Sequence, residues 1–383
     1  MNAPNSAEIK KIKHDGVLTI AAGRSRRDMA WKNREILWSE LLERFSRPTR
    51  TQEAFEEYKK MTKAQQAGIK DVGGFVGGTL KGGRRKADAV VWRQVLTLDA
   101  DYVRGDLWDA VSALCDFACC IYSTRSHSSN GPRIRWVIPL VRPVTPEEYA
   151  AVGRRVAADM GIDMFDDTTY EPHRLMYWPS AASDGDWVFE YQDEPWLNPD
   201  TVLARYQDWR DPSQWPESSR AQQARRKLAD KQGDPLEKPG VIGAFCRTYS
   251  VEKVIEEFLE DVYEPCGEGR YTYTLGSTAG GLVVYDEGKF VYSHHGTDPV
   301  SGLLVNSFDL VRLHKFGELD EDVMPGTPVA KLPSYLKMQE FCLADEQVRV
   351  TLGEEKLAAA QDDFEGENWL KQLEYNKKGE MVA

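Results

Sequence analysis

Asp99 and Asp101 end an apolar, β-branched run, VVWRQVLTLDAD, at residues 90–101. Side chains alternate along a strand, so both carboxylates share one face, about 6.6 Å apart along the chain. Adjacent carboxylates repel and are costly to desolvate, and a divalent cation relieves both penalties. A pair of metals about 3.5–4 Å apart can be bridged by such a motif. Hard carboxylate oxygens favour Mg²⁺ or Mn²⁺ over zinc. A strand end with two solvated turn aspartates is the plain alternative.

Two further groups of residues add to this pair. Ser123-Thr124-Arg125-Ser126-His127-Ser128 follows a second strand-like run, and Pro132-Arg133-Ile134-Arg135 opens a third. Arg133 and Arg135 share a strand face, and with Arg125, Ser126 and His127 they offer a hairpin cradle for a triphosphate. Downstream, Asp166-Asp167-Thr168-Thr169-Tyr170-Glu171-Pro172-His173-Arg174 supplies a further carboxylate, in either of two registers, and the cation of Arg174. His173 follows a proline and reads as a turn residue. Two basic runs stand nearer the N-terminus, one with Arg24, Arg26 and Arg27, the other with Lys81, Arg84, Arg85 and Lys86. Glycines beside them let backbone amides approach phosphates, which suits a nucleic-acid template; solvated loop charge is the alternative.

The chain that must position these groups has 383 residues, 41% hydrophobic and 29% charged, enough for two or three domains. Its net charge of −12 excludes a chain-wide cationic coat, yet residues 1–100 hold 20 Lys and Arg against 12 Asp and Glu. Such asymmetry can build a local field for a polyanion on an acidic protein. There is no run of 18 apolar residues, and the N-terminus is polar and lysine-bearing, so neither a membrane partner nor a signal peptide is expected. Six cysteines are too few for a disulfide scaffold; Cys115, Cys119 and Cys120 read as buried thiols of a cytoplasmic protein.

Residues 17–22 read as a strand, 31–46 as a helix and 106–117 as another. Residues 118–124 and 134–140 read as paired strands. Thr145-Pro146-Glu147-Glu148 has the capping threonine, first-turn proline and third-position glutamate of a helix start. The glycine-rich residues 71–78 fit no GxxxxGK[ST] register, so a phosphate-binding P-loop is unsupported. Strands and helices alternate irregularly, which predicts an α+β fold over a doubly wound sheet.

Taken in order, these elements resemble the three motifs of the archaeo-eukaryotic primase superfamily: a strand ending in Asp-x-Asp, a small-x-His motif and a later Asp. The closer similarity is to its prophage and mobile-element branch, whose primase domain precedes a virulence-associated-protein-E-type helicase. It rests on GGFVGGTLKGGRRK before LTLDAD, STRSHS with PRIRWVIPL, FDDTTYEPHRLMYWPS and, further on, FCRTYSVEKVIEEFL, GRYTYTLGSTAGGLVVYDEGKFVYSHHGTDPVSG and NSFDLVRLHKFG. The resemblance spans residues 17 to about 320.

The resemblance implies a primase-type catalytic domain with a mixed or antiparallel sheet, RRM-like in one half and flanked by helices, plus a smaller α+β C-terminal module. It implies Asp99 and Asp101 as metal ligands, Asp166 or Asp167 as completing the site, and His127 as a contact to the nucleotide's phosphates. Two departures stand out. Arg125 takes the place of a small residue two before His127, and the third motif has two consecutive aspartates.

The implied activity is that of a DNA primase or primase-polymerase. Such an enzyme transfers nucleotides from NTP or dNTP on a single-stranded DNA template, with Mg²⁺ or Mn²⁺, in phage or mobile-element replication. A replicative helicase is the implied partner; with no Walker motif here, that motor would be separate or part of a longer chain. A non-catalytic replication initiator or single-strand-binding module would instead bind DNA without metal and tolerate changes at Asp99. A metal-dependent nuclease would degrade DNA without nucleotides.

The expected organisation is a catalytic domain at 1–198, a linker at 199–239, an accessory module at 240–343 for template or helicase contact, and an acidic, weakly ordered tail at 344–383. In the accessory module, Phe290 or Tyr292 could stack on bases. His294, His295, Asp298 and His314 could suggest zinc, but adjacent His294 and His295 would point to opposite faces of an extended strand. Cys266 stands 28 residues before His294, off a finger spacing, so zinc is not expected there.

Overall fold

The computed structural model describes residues 9–366 except 10, 277, 322 and 325, together with 374–375 and 381–382. Two compact units emerge: residues 1–227 with 264–282 and 294–302, and residues 228–263 with 283–293 and 303–383. The expected α+β class is borne out.

In the first unit the chain runs β1 (Val17–Gly23), β2 (Lys32–Leu37), α1 (Trp38–Ser46), β3 (Thr49–Arg50), α2 (Phe55–Lys60), α3 (Lys63–Ile69), β4 (Gly74–Val76), β5 (Gly78–Leu80) and β6 (Val90–Ala100). It continues through α4 (Leu107–Leu114), β7 (Cys119–Ser123), β8 (Ile134–Val144), α5 (Pro146–Met160), β9 (Met176–Tyr177), β10 (Ser180–Ala181) and β11 (Phe189–Gln192). One antiparallel sheet has the order β2-β1-β4-β9, and a larger one the order β11-β7-β8-β6-β5.

The larger sheet is covered on both faces. From β6, Leu96, Leu98 and Ala100 enter a cluster with Val111 of α4 and Tyr149, Val152 and Val156 of α5. Val95 enters the opposite cluster with Phe45 of α1, Phe75, Tyr122 and Trp178. Asp99 has the parity of Val95, so it points away from the α4–α5 side. Helix α5 starts as its sequence predicts, with the Thr145 hydroxyl accepting from Glu148 N–H at 3.2 Å.

Residues 31–46 are corrected from one helix to a strand followed by a helix. The polar run Lys-Asn-Arg-Glu leaves β2 exposed while its backbone pairs with β1, from Leu37 opposite Val17 to Lys32 opposite Ala22. Buried apolar residues at helical spacing begin only at Trp38, followed by Leu41, Leu42 and Phe45. The glycine-rich stretch is explained by close strand approach. A Cβ on Gly74 would stand 2.5 Å from the Met176 carbonyl oxygen, and one on Gly78 would collide with the Trp92 carbonyl.

Arg93, wholly buried on β6, ties distant segments together. It donates to the carbonyls of Gly77 (3.2 Å), Val95 (3.0 Å) and Pro172 (2.5 Å) and stacks 4.0 Å over the Tyr149 ring. Burial holds its pKa below the ordinary arginine value, since no carboxylate meets it among these contacts.

The second unit contains helices Gly240–Thr248, Val251–Phe258, Ser307–Phe316, Pro333–Ala344 and Glu346–Gly366. Strands Phe290–Ser293 and Leu304–Val305 pair antiparallel. Phe290 is buried, which corrects its candidacy as a base-stacking ring. His295, in the first unit, is also buried and accepts from the N–H groups of Tyr273 and Gly281, each at 3.1 Å.

The stretch read as a linker includes helices Pro199–Leu203 and Ser219–Gln232. Of the expected tail, residues 367–373, 376–380 and 383 lie outside the described residues, as do residues 1–8 of the polar N-terminus. Among the described residues no helix is long and apolar enough to cross a membrane. Burial pushes the Cys115 and Cys119 thiols up to about 12.

Candidate active site

The pleat sets the first row of site residues. Asp99 on β6 lies opposite Arg135 on β8, which lies opposite Tyr122 on β7. Cross-strand neighbours on one face meet, and here they bond. Arg135 donates to both Asp99 oxygens, at 2.6 and 3.0 Å, to the Tyr122 hydroxyl at 3.2 Å and to the Tyr177 carbonyl at 2.9 Å. The Arg135 side chain is only 7% exposed, so this is a buried, bidentate pair.

The third motif docks on the end of β6. Asp166 N–H donates to the Asp99 carbonyl at 2.8 Å, and the Thr169 hydroxyl accepts from Asp99 N–H at 3.0 Å while donating to the Thr97 carbonyl at 2.9 Å. These bonds carry the Asp166 carboxylate to the Asp99–Asp101 wall. Asp167 turns elsewhere, accepting from the Ser218 hydroxyl at 2.5 Å with Arg220 at 3.6 Å.

Asp99, Asp101 and Asp166 line one cavity of about 400 Å³. Its other ionisable lining comprises Glu171, His173 and the cations Arg26, Lys70, Arg85, Arg125, Arg133, Arg135 and Arg174. Seven cations against four carboxylates leave a net positive chamber suited to a polyanionic ligand. Arg133 meets Asp101 at 2.7 Å, and Arg174 reaches Asp166 at 3.4 Å. Burial raises the Asp101 pKa; Arg133 opposes the shift, and the charges of Asp99 and Asp166 add to it. Burial and the neighbouring Arg174, Arg26 and Arg135 lower that of Lys70.

The hairpin between β7 and β8 contributes unevenly. Ser123, Thr124, Arg125 and Ser126 line the cavity. Arg125 is anchored, donating to Glu53 and to the Thr51 hydroxyl at 2.8 Å beside the Tyr58 ring. His127 is buried, lies outside the cavity lining, and accepts Arg133 N–H on Nδ1 at 3.2 Å. Burial holds its pKa below the ordinary value, with Asp186 opposing. His127 thus supports the backbone that carries Arg133.

Lys70, at the end of α3, lines the cavity with no local sequence signal, and Glu171 and Tyr177 of the third motif line it too, with no role predicted for them. His173, read as a turn residue, also lines the chamber; burial first, then Arg85 and Arg174, push its pKa down to about 4. The two basic runs converge. Arg26, Arg27, Arg84, Arg85 and Lys86 line a cleft of about 130 Å³ with Trp31, and Arg26 and Arg85 belong to both hollows. Arg24 and Lys81 line neither.

All three carboxylates supply hard oxygen donors on one wall, which fits Mg²⁺ or Mn²⁺. Each is engaged by an arginine, and among the described residues no group of three or more His, Cys, Asp or Glu already stands in a metal-holding cluster.

Comparison with known proteins gives one family match: the VapE N-terminal domain, over residues 3–218. Among solved structures the chain is similar to the AEP domain of the cyanophage S-2L primase-polymerase. The identity is 17% and the TM-score 0.28, over 49% of this chain and 88% of that one. No curated protein matches.

Proposed function

Because this chain belongs to the VapE N-terminal domain family, we propose that its first unit is the nucleotidyl-transfer module of a primase or primase-polymerase. It would start or extend strands from NTP or dNTP on single-stranded DNA, in phage or mobile-element replication and beside a replicative helicase. One observation carries the reading: carboxylates from two distant segments line a single cation-rich chamber large enough for a nucleotide.

Asp99, Asp101 and Asp166 would hold Mg²⁺ or Mn²⁺. Held there, a divalent ion would supply Lewis acidity toward an attacking 3′-hydroxyl and charge stabilisation for the leaving pyrophosphate. Arg133 and Arg174, which are partly exposed, take the triphosphate, with Lys70 and the Ser126 hydroxyl beside them. Arg135, locked on Asp99, orients that carboxylate. His127 acts through Arg133 instead of touching phosphate. The cleft at Trp31, sharing Arg26 and Arg85 with the chamber, leads the template phosphates toward it.

The test is incubation with single-stranded DNA, labelled nucleotides and Mg²⁺ or Mn²⁺, with and without a primer. Template-dependent incorporation by the wild type, lost in the Asp99→Ala, Asp101→Ala double variant, is expected. Equal incorporation by the double variant ends the assignment. Degradation of labelled DNA without nucleotides would mark a nuclease, and metal-independent binding without synthesis a DNA-binding module.

A further inference from the structure

We propose that Arg133 couples cation binding to nucleotide binding by exchanging Asp101 for the triphosphate; this rests on the nucleotidyl-transfer reading above. The three arginines that meet the acidic wall are not equivalent. Arg135 is 7% exposed and held by four bonds to Asp99, Tyr122 and Tyr177, so its position is fixed. Arg133 is 42% exposed and holds Asp101 through Nη1 to Oδ2 at 2.7 Å. Its backbone is pinned, with N–H donating to His127 Nδ1 and the carbonyl accepting from Thr124 N–H at 2.9 Å. A fixed backbone under an exposed side chain lets the guanidinium swing without moving the strand.

Chemistry supplies the competition. A cation approaching Asp101 needs the oxygen lone pairs that Arg133 occupies, and the two positive charges repel. Displaced alone, the guanidinium would face Lys70 and Arg174 across a chamber already rich in cations. A triphosphate removes that penalty, because guanidinium binds phosphate oxygens bidentately. The cation and the nucleotide therefore bind better together than apart. Linkage makes the effect reciprocal: each ligand strengthens the other by the same factor.

The experiment is Mn²⁺ titration of the full chain, with and without a non-hydrolysable dNTP analogue, read by the loss of free-ion EPR signal after subtracting the Mn²⁺ bound by the same analogue in protein-free titrations. Wild type, Arg133→Gln and Asp101→Asn are compared. In the wild type the analogue should tighten Mn²⁺ binding by a factor within about 5–150-fold, the usual span of coupling between sites. In Arg133→Gln, Mn²⁺ alone should bind more tightly than in wild type, and the factor should fall below the wild-type value, leaving only the direct attraction between cation and triphosphate. Simple relief of repulsion would raise Mn²⁺ affinity equally with and without analogue. An unchanged factor in Arg133→Gln, alongside loss of Mn²⁺ binding in Asp101→Asn, overturns this proposal and leaves the nucleotidyl-transfer reading standing. Mn²⁺ binding by Asp101→Asn equal to wild type removes the cation from this wall, and both fall.

Discussion

Asp99, on β6, and Asp101, just past its end, are two residues apart, yet neutralising them should have very unequal consequences for stability. In Asp99→Asn, Arg135 loses both carboxylate bonds while its side chain stays 7% exposed. Removing one partner of a buried pair costs about 3–5 kcal/mol, because the other charge is left uncompensated. The retained bonds to the Tyr122 hydroxyl and Tyr177 carbonyl place the cost at the low end, about 3 kcal/mol. Asp101→Asn breaks only the contact with Arg133, which is 42% exposed; such pairs are worth about 0–1 kcal/mol. It also removes a carboxylate that burial and two like charges disfavour, so the net effect should be near zero.

For a domain of this size 1 kcal/mol corresponds to about 2–4 °C in Tm. Thermal melts followed by circular dichroism in EDTA should therefore show Asp99→Asn lowered by about 6–12 °C and Asp101→Asn within about 3 °C of wild type. Both variants should lose nucleotide incorporation. Adding Arg135→Met to Asp99→Asn should recover part of the loss, since the orphaned charge is gone. Equal melting points for the two single variants, or a larger drop for Asp101→Asn, would refute the assignment of Arg135 as the locked partner.

Arg93→Met should destabilise the first unit by at least about 3 kcal/mol in denaturant titration, because several buried carbonyls lose their donor; a change under about 1 kcal/mol would deny it the clamping role. His173 has its pKa depressed from 6.5 to about 4, so the unfolded chain binds its proton more readily. Its contribution is present above 6.5 and lost as pH falls from there through 4, by at most about 3 kcal/mol. Stability curves of wild type and His173→Gln should accordingly converge toward acid, and parallel curves would contradict the burial argument. Arg84→Gln with Lys86→Gln should flatten the salt dependence of single-stranded DNA binding by about 0.7 per lost phosphate contact, measured by fluorescence anisotropy; an unchanged slope would remove the Trp31 cleft from the template path.

Much of the site could be read from spacing because it depends on local geometry. The alternation of a strand pairs Asp99 with Asp101 and Arg133 with Arg135, and the β6–β8 register sets Asp99 against Arg135 on the same sheet face. The Thr145 cap likewise needs only four residues. The VapE part of the family resemblance is borne out over residues 3–218; the segments quoted beyond residue 218 lie outside that match.

What could not be read was decided by contacts far apart in the chain. Asp166 and Asp167 are locally equivalent; the choice is made by the bond from Asp166 N–H to the Asp99 carbonyl, across 67 residues of sequence. Lys70 enters the chamber through tertiary packing with no motif to announce it, and Glu171 and Tyr177, although inside the third motif, had no role that spacing alone could give them. His127 lies amid polar and cationic residues, which suggested an open site, whereas its ring turns inward to the Arg133 amide. Strand β2 reads as helix from sequence alone because Trp31 and Ile36 extend the apolar spacing of α1 backwards. Pairing with β1 outweighs that pattern.

Anomalous scattering from crystals grown with Mn²⁺ and a non-hydrolysable dNTP tests the central claim most directly. The account predicts a manganese peak on the wall of Asp99, Asp101 and Asp166, with the triphosphate against Arg133 and Arg174. Manganese bound away from this wall, or a nucleotide seated outside the chamber, would contradict it.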